Sequence, residues 1–91
     1  MSPIFYPREI KNEKKLGFYV NVNSGNIDYV ASSGIVETNS KSGTIEINSG
    51  TVSTNEGAVT TNNSSGMVKI NSGKVITNDG SVSTNNGSVI T

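Results

Sequence analysis

Residues 71–91 read NSGKVITNDGSVSTNNGSVIT, three consecutive copies of a seven-residue unit, Asn-x-Gly-x-Val-x-Thr. The same unit occurs earlier as NSGTVST at positions 48–54. Outward from these copies, glycines recur at intervals of seven or nine residues from Gly25 to Gly87. Self-similarity at a short period is typical of repeat architectures. We therefore expect residues 25–91 to form a single all-β repeat.

The position two residues after each glycine carries a β-branched aliphatic side chain in all nine units. The position four residues after the glycine carries mostly Thr, and the position between them is mostly polar. Alternation with a period of two and β-branched side chains favour one short strand per unit, with both the Val and the Thr positions facing inward. The predicted core of the repeat is Ile27, Val36, Ile45, Val52, Val59, Val68, Val75, Val82 and Val89.

An asparagine stands five residues after most of these glycines. Asn bonds readily to its own main chain, and Gly adopts positive φ freely, so Asn-x-Gly is predicted to be the corner between strands. Where corners stack at the spacing of strands, their side-chain amides are expected to form a hydrogen-bonded ladder. The predicted ladder comprises Asn39, Asn48, Asn55, Asn62, Asn71, Asn78 and Asn85.

Residues 1–24 have a different composition, with both prolines, four of the five aromatic residues and four of the seven basic residues. The prolines favour an extended arm, and residues 16–22 (LGFYVNV) are predicted to be a strand with Phe18, Val20 and Val22 on one face. We interpret residues 1–24 as an N-terminal docking arm and residues 25–91 as a rod, with a solvated linker as the alternative for the basic part of the arm. Aromatic side chains dominate many interfaces, so the predicted docking residues are Phe5, Tyr6, Phe18 and Tyr19.

A unit this short raises the question of how the chain closes around a core. About four strand residues span only ~14 Å, so a coil made by one chain needs at least two units, yet odd and even units do not differ in any evident way. The pattern favours an intertwined homotrimer, a triple-stranded β-helix in which each chain supplies one strand per layer. Nine such layers would form a rod of roughly 40 Å. A single-chain β-solenoid and an antiparallel meander remain as alternatives.

Repeated Gly-x-Val strands with polar corners, behind a distinct N-terminal arm, resemble the trimeric β-helical parts of bacteriophage spikes, fibres and head-decoration proteins. The resemblance is architectural and covers residues 25–91. It matches no single family, and the seven-residue period differs from that of the best-known tail-spike helices. It implies a virion structural protein that docks on a capsid or tail by its arm and projects a trimeric β-helix from the virion surface.

The chain has neither His nor Cys and a formal net charge of zero. The usual general base and thiol nucleophile are therefore missing, and we predict no enzyme activity, no catalytic residue, no metal site and no cofactor. Balanced charge gives no general attraction to nucleic acid or to an anionic membrane. The predicted partners are other copies of the chain and a larger protein assembly.

Three functional alternatives remain. Asp28, Glu37 and Glu46 occupy equivalent positions in successive units and could form an outward acidic row that binds a hard cation, with a solvated face as the simpler interpretation. A surface adhesin that recognises a receptor or glycan, placed outside the cell or on its surface, is the second. Ice binding by the Thr column is the third, and it is disfavoured because the alternation turns that column inward.

Overall fold

The computed structural model describes residues 19–91, which form ten β-strands and no helix. Nine of the strands have five residues, and the last has two. Eight of those nine end on an Asn, and the remaining one ends on Val30. The strands are β1 (Tyr19–Asn23), β2 (Asn26–Val30), β3 (Ile35–Asn39), β4 (Thr44–Asn48), β5 (Thr51–Asn55), β6 (Ala58–Asn62), β7 (Met67–Asn71), β8 (Lys74–Asn78), β9 (Ser81–Asn85) and β10 (Ser88–Val89).

Each strand pairs in parallel with the next strand but one, so the chain alternates between two five-stranded sheets. The odd sheet has the order β1-β3-β5-β7-β9, and the even sheet has β2-β4-β6-β8-β10. One turn of the chain consists of one strand from each sheet. Ile35 pairs with Thr51, 16 residues later, and Met67 pairs with Ser81, 14 residues later. The fold is a β-solenoid of about four turns.

Each turn closes within one chain, which differs from the intertwined homotrimer predicted from the sequence. Two successive units form one level of the solenoid, and their inward aliphatic side chains meet in a single core. A seven-residue unit therefore needs no partner chain to enclose that core. Five strands per sheet, about 4.8 Å apart, stack over roughly 20 Å. This is half the length expected from nine separate layers.

Only two positions of each strand face inward along most of the solenoid. The second position carries the predicted core residue, and those from Ile27 to Val75 are fully buried, whereas Val82 and Val89 are partly buried. The fifth position carries the corner Asn, which is also fully buried from Asn23 to Asn71. The first, third and fourth positions are partly or fully exposed.

The Thr position therefore does not face inward, and the strict alternation predicted from the sequence is wrong at this point. Thr54 is half-buried, and Ile70, which occupies the same position, is 41% exposed. Neighbouring residues of an extended chain point to opposite sides. Because the Asn at the end of the strand turns inward, the residue before it must turn outward. Alternation is thus broken between the third and fourth positions.

The solenoid also begins earlier than the boundary predicted at residue 24. β1 pairs with β3, Val20 lies in the core, and Asn23 is fully buried. Part of the predicted strand at 16–22 is therefore the first strand of the odd sheet. Val22 is 44% exposed and so does not share the inward face of Val20. Residues 1–18, which include the rest of the predicted arm, lie outside the described residues.

The nine-residue units keep the strand register because their two additional residues lie in the corners. Most corners place two residues between strands, whereas three place four. In each long corner a glycine N–H donates to the carbonyl three residues earlier: Gly34 to Ala31, Gly43 to Ser40 and Gly66 to Asn63, all at 2.8 Å. This is the hydrogen bond of a β-turn.

Glycine is required in the stacked corners by the close approach of neighbouring turns. A Cβ on Gly57 would overlap the carbonyl oxygens of Ser40 and Gly43 in the turn below. The glycines from Gly43 to Gly87 do not adopt left-handed φ, so the positive φ expected from the sequence is not the reason for them. The bare backbone lets the Ala58 N–H reach the carbonyl of Gly43 at 3.1 Å.

The two sides of β5 can be tested by placing the same charge at Val52 and at Thr54. Val52→Lys buries an unpaired ammonium in the core, which costs several kcal/mol, and we expect no cooperative unfolding transition. Thr54→Lys extends into solvent, and we expect its unfolding free energy to stay within about 1 kcal/mol of the wild type. Urea denaturation followed by circular dichroism measures both, and loss of folding in Thr54→Lys would contradict the outward placement.

Candidate functional site

The corner asparagines are the most extensively bonded side chains of the described residues, and they form two ladders along the solenoid. In the odd ladder each Nδ2 donates to the Oδ1 of the Asn one turn later at 2.8 Å. In the even ladder the same bonds measure 2.9 and 2.8 Å. The odd ladder is Asn23, Asn39, Asn55, Asn71 and Asn85, and the even ladder is Asn48, Asn62 and Asn78.

The sequence predicted one ladder of seven residues, and the structure distributes those seven over the two sheets and adds Asn23. Asn23 could have been found by the spacing of Val20 and Asn23, which is the same as that of Val52 and Asn55. Asn23 stands before Gly25, where the repeat of glycines begins, so a pattern counted from these glycines does not include it. In the even sheet Val30 takes the place of the first Asn and is paired with Asn48.

Each amide also holds its own corner together, as Asn55 shows. Its Nδ2 donates to the carbonyls of Gly57 at 3.3 Å and Lys74 at 3.2 Å, in addition to Asn71. Its Oδ1 accepts from the Gly57 N–H at 3.3 Å and from Asn39. In residues 19–91 no buried side-chain nitrogen or oxygen lacks a hydrogen-bond partner. A fully satisfied polar network of this kind stabilises one register of the fold.

The interior therefore offers amide groups rather than acids or bases. The buried polar side chains within the described part of the chain are corner asparagines and Ser49. A neutral amide neither gives nor takes a proton at ordinary pH. The outer surfaces of the two sheets are therefore candidate surfaces for binding by this part of the protein.

Of the four predicted docking residues, only Tyr19 falls in the described region. Phe5, Tyr6 and Phe18 lie outside it. Tyr19 is 52% exposed on the outer surface of β1, and its hydroxyl donates a hydrogen bond to Glu37 Oε2 at 2.8 Å. The bond to this carboxylate, together with partial burial and the nearby negative charge, raises the pKa of Tyr19 above its ordinary value.

The predicted acidic row is divided by the alternation of the sheets. Asp28 and Glu46 lie on neighbouring strands of the even sheet, whereas Glu37 lies on the odd sheet at the other side of the molecule. Successive units belong to opposite sheets, so side chains align only in every second unit. Within residues 19–91 no group of three or more acidic side chains is placed to hold a metal ion.

The same alternation produces an apolar surface that an alignment of consecutive repeat units does not show. Tyr19, Val22, Ile35, Met67 and Ile70 are exposed and all lie on strands of the odd sheet. Columns built from consecutive units mix this surface with the opposite one. Alignment of every second unit would have revealed it.

The described residues contain no helix long and apolar enough to cross a membrane. Comparisons with protein-family models, with curated proteins and with solved structures found no match to this chain. The functional proposal therefore depends on the geometry of the solenoid and on the pattern of the sequence.

The ladder can be tested at Asn55, in the middle of the odd sheet. Asn55→Ala removes five hydrogen bonds, and at about 0.5–1.5 kcal/mol for a typical bond we expect a loss of roughly 2.5–7.5 kcal/mol in unfolding free energy. Asn86→Ala is the matched control because Asn86 is an exposed corner residue, and a change within about 0.5 kcal/mol is expected. Equal losses in the two variants, measured by chemical denaturation, would contradict a structural role for the ladder.

Proposed function

We propose that this protein is a non-enzymatic structural element, a rigid β-solenoid that is built into a larger protein assembly. The observation that carries the proposal is the uniformity of the interior. From β3 to β7 every level repeats the same fully buried pair, one β-branched aliphatic side chain and one ladder Asn. Repetition of one stabilising level is typical of repeat proteins that present extended, regular surfaces.

The assembly that fits this proposal is a virion, with the solenoid as a fibre, spike or decoration component exposed on its surface. Support comes from the architectural resemblance of residues 25–91 to bacteriophage β-helical parts and from the concentration of aromatic residues near the N-terminus. In this proposal Phe5, Tyr6 and Phe18 dock on the capsid or tail, and Tyr19 lies where the docked segment enters the solenoid.

Copies of the chain are proposed to associate with one another, but not by intertwining. The sequence favoured three chains because one unit is too short to close a turn. Two units of one chain close it in the structure, so contact between copies is proposed to use the outer surfaces. Native mass measurement of the purified chain gives the number of copies.

The adhesin alternative has less support from the outer surfaces. Sugar recognition commonly uses aromatic platforms, and the two described tyrosines, Tyr19 and Tyr29, lie on opposite sheets. Ice binding requires a regular Thr array on one surface. The outward Thr column of the odd sheet is interrupted by Ile70 and adjoined by the charged Glu37 and Lys69. A structural role is thus the better supported proposal.

The docking proposal predicts that the chain sediments with particles in a density gradient at a constant number of copies per particle. Phe5→Ser combined with Tyr6→Ser removes two aromatic anchors, and we expect at least a tenfold loss of particle-bound protein with an unchanged unfolding midpoint. Quantitative mass spectrometry of the particle fraction measures the loss.

Ile90→Ser is the control, because Ile90 is 60% exposed near the opposite end of the solenoid and the change removes an exposed apolar group while leaving both aromatic residues in place. It should remain particle-bound. Wild-type protein found only in the soluble fraction would overturn the virion proposal, and equal retention of the aromatic double variant and the control would overturn docking through Phe5 and Tyr6.

A further inference from the structure

The outer surface of the odd sheet, here called the odd face, is the more apolar of the two sheet surfaces. It is formed by the outward side chains of β1, β3, β5, β7 and β9. Among residues 19–91, five of the eight exposed large hydrophobic residues lie on it, whereas three lie on the even strands or beyond β10. The five, with their exposed fractions, are Tyr19 (52%), Val22 (44%), Ile35 (38%), Met67 (37%) and Ile70 (41%).

The charges of the odd face have a regular arrangement about its middle strand. The third positions of β3, β5 and β7 carry Glu37, Ser53 and Lys69. The residues before and after these positions pair in register from strand to strand, so the three residues lie in one column across the sheet. One negative side chain thus lies one strand below Ser53, and one positive side chain lies one strand above it. The hydrogen bond from Tyr19 restrains the carboxylate of Glu37 on this surface.

We propose that the odd faces of two copies of this chain pack against each other as a symmetric pair with antiparallel solenoid axes. The two-fold axis lies in the interface and runs along β5. It places β3 of one copy over β7 of the other. A residue at a given position of one strand therefore faces the residue at the same position of the opposing strand. Such an interface uses the same surface on both copies and is therefore closed.

Charge complementarity selects this arrangement. The two-fold axis along β5 places Glu37 opposite Lys69 of the second copy, and it does so twice. A two-fold axis parallel to the solenoid axis would instead place each strand over the same strand of the second copy. Glu37 would then approach Glu37 of the second copy, and Lys69 would approach Lys69. Like charges that face each other across an interface are unfavourable.

The apolar side chains follow the same symmetry. The first positions of β3 and β7 carry Ile35 and Met67, which lie in one register column. Ile35 of each copy therefore faces Met67 of the other copy. Ile70 faces Thr38 in the same way. The three outward side chains of β5 face their own counterparts, and they are the short residues Thr51, Ser53 and Thr54. Sheets that pack face to face lie about 10 Å apart, which leaves room for the longer side chains on either side.

The even face lacks this self-complementarity. Its middle strand is β6, and a two-fold axis along β6 exchanges β4 with β8. Glu46 and Ile76 occupy the third position of those strands, so a carboxylate would be placed against an aliphatic side chain. Asp28 and Glu46 also lie side by side on this face.

The size of the odd face sets the expected strength of the pair. Five strands about 4.8 Å apart and about 16 Å long project roughly 400 Å² on each copy. The two copies together bury roughly 800 Å², which is below the about 1,200–2,000 Å² of stable specific interfaces and in the range of weak, transient contacts. We therefore expect a weak, reversible dimer with a dissociation constant in the high micromolar range.

Charge exchange tests both the surface and its symmetry in the full-length chain. Sedimentation equilibrium should show a monomer–dimer system for the wild type. Glu37→Lys and Lys69→Glu should each raise Kd at least tenfold, because each creates two like-charged contacts. The double variant E37K/K69E restores both pairs, and its Kd should return to within about threefold of wild type. An equimolar mixture of the two single variants should form a heterodimer as tightly as the wild type forms its homodimer.

Ile70→Ser and Ile47→Ser separate the odd face from the even face. Both residues occupy the fourth position of their strands with similar exposure, 41% and 38%, so the change removes comparable apolar surface. Ile70→Ser should raise Kd about tenfold, and Ile47→Ser should not change it. Circular dichroism checks that each variant retains the wild-type fold.

A monomer at all accessible concentrations, a trimer or higher closed oligomer, or a dimer unaffected by either charge reversal would each overturn the pair. A dimer in which Ile47→Ser weakens association more than Ile70→Ser would place the contact on the even face and overturn it as well. The pair does not rest on the virion proposal, because sedimentation of the purified chain and recovery from particles are separate measurements.

Discussion

The inward turn of the asparagine at the end of each strand is the constraint on which the rest of the structure depends. Its amide bonds to main-chain carbonyls at the corner and to the corner asparagines of the neighbouring turns. Asn55 donates to the carbonyls of Gly57 and Lys74. It is also bonded to Asn39 and Asn71 in the ladder. A buried amide without these partners would cost more than the bonds contribute. An Asn side chain at the end of a strand must therefore face the core, and the direction of the residue before it is then determined.

The outward turn of the residue before the Asn separates the part of the fold that the sequence predicts from the part that it does not. The Val column and the stacked Asn corners follow from residue types and spacing, because β-branched side chains suit strands and stacked amides can bond to one another. A period of two across the whole unit places the Thr column on the wrong side. Position 54 shows the cause, since the inward turn of Asn55 overrides the alternation that starts at Val52.

The separation of the two sheets was harder to predict because consecutive units have nearly the same sequence. Val52 and Val59 are equivalent in the repeat but belong to opposite sheets. A unit that is too short to close on its own can be completed by another chain or by the next unit, and composition does not distinguish these two solutions. The candidate surface depends on the second solution, because Glu37 and Lys69 share a face only when alternate units are stacked.

The irregular spacing of the glycines, which obscured a two-unit turn in the sequence, has a local cause. The two additional residues of a long unit form a β-turn at the corner, as between Ser40 and Gly43, and they leave the strands in register. The odd ladder shows this directly, because Asn39 reaches Asn55 across 16 residues and Asn71 reaches Asn85 across 14, both at 2.8 Å. The spacing between corners is therefore free to vary, whereas the buried pair of side chains at each level is not. Such a fold tolerates variation in the length of its corners and in the sequence of its outer faces, and the outer faces are where a contact with another protein can be encoded without disturbing the core.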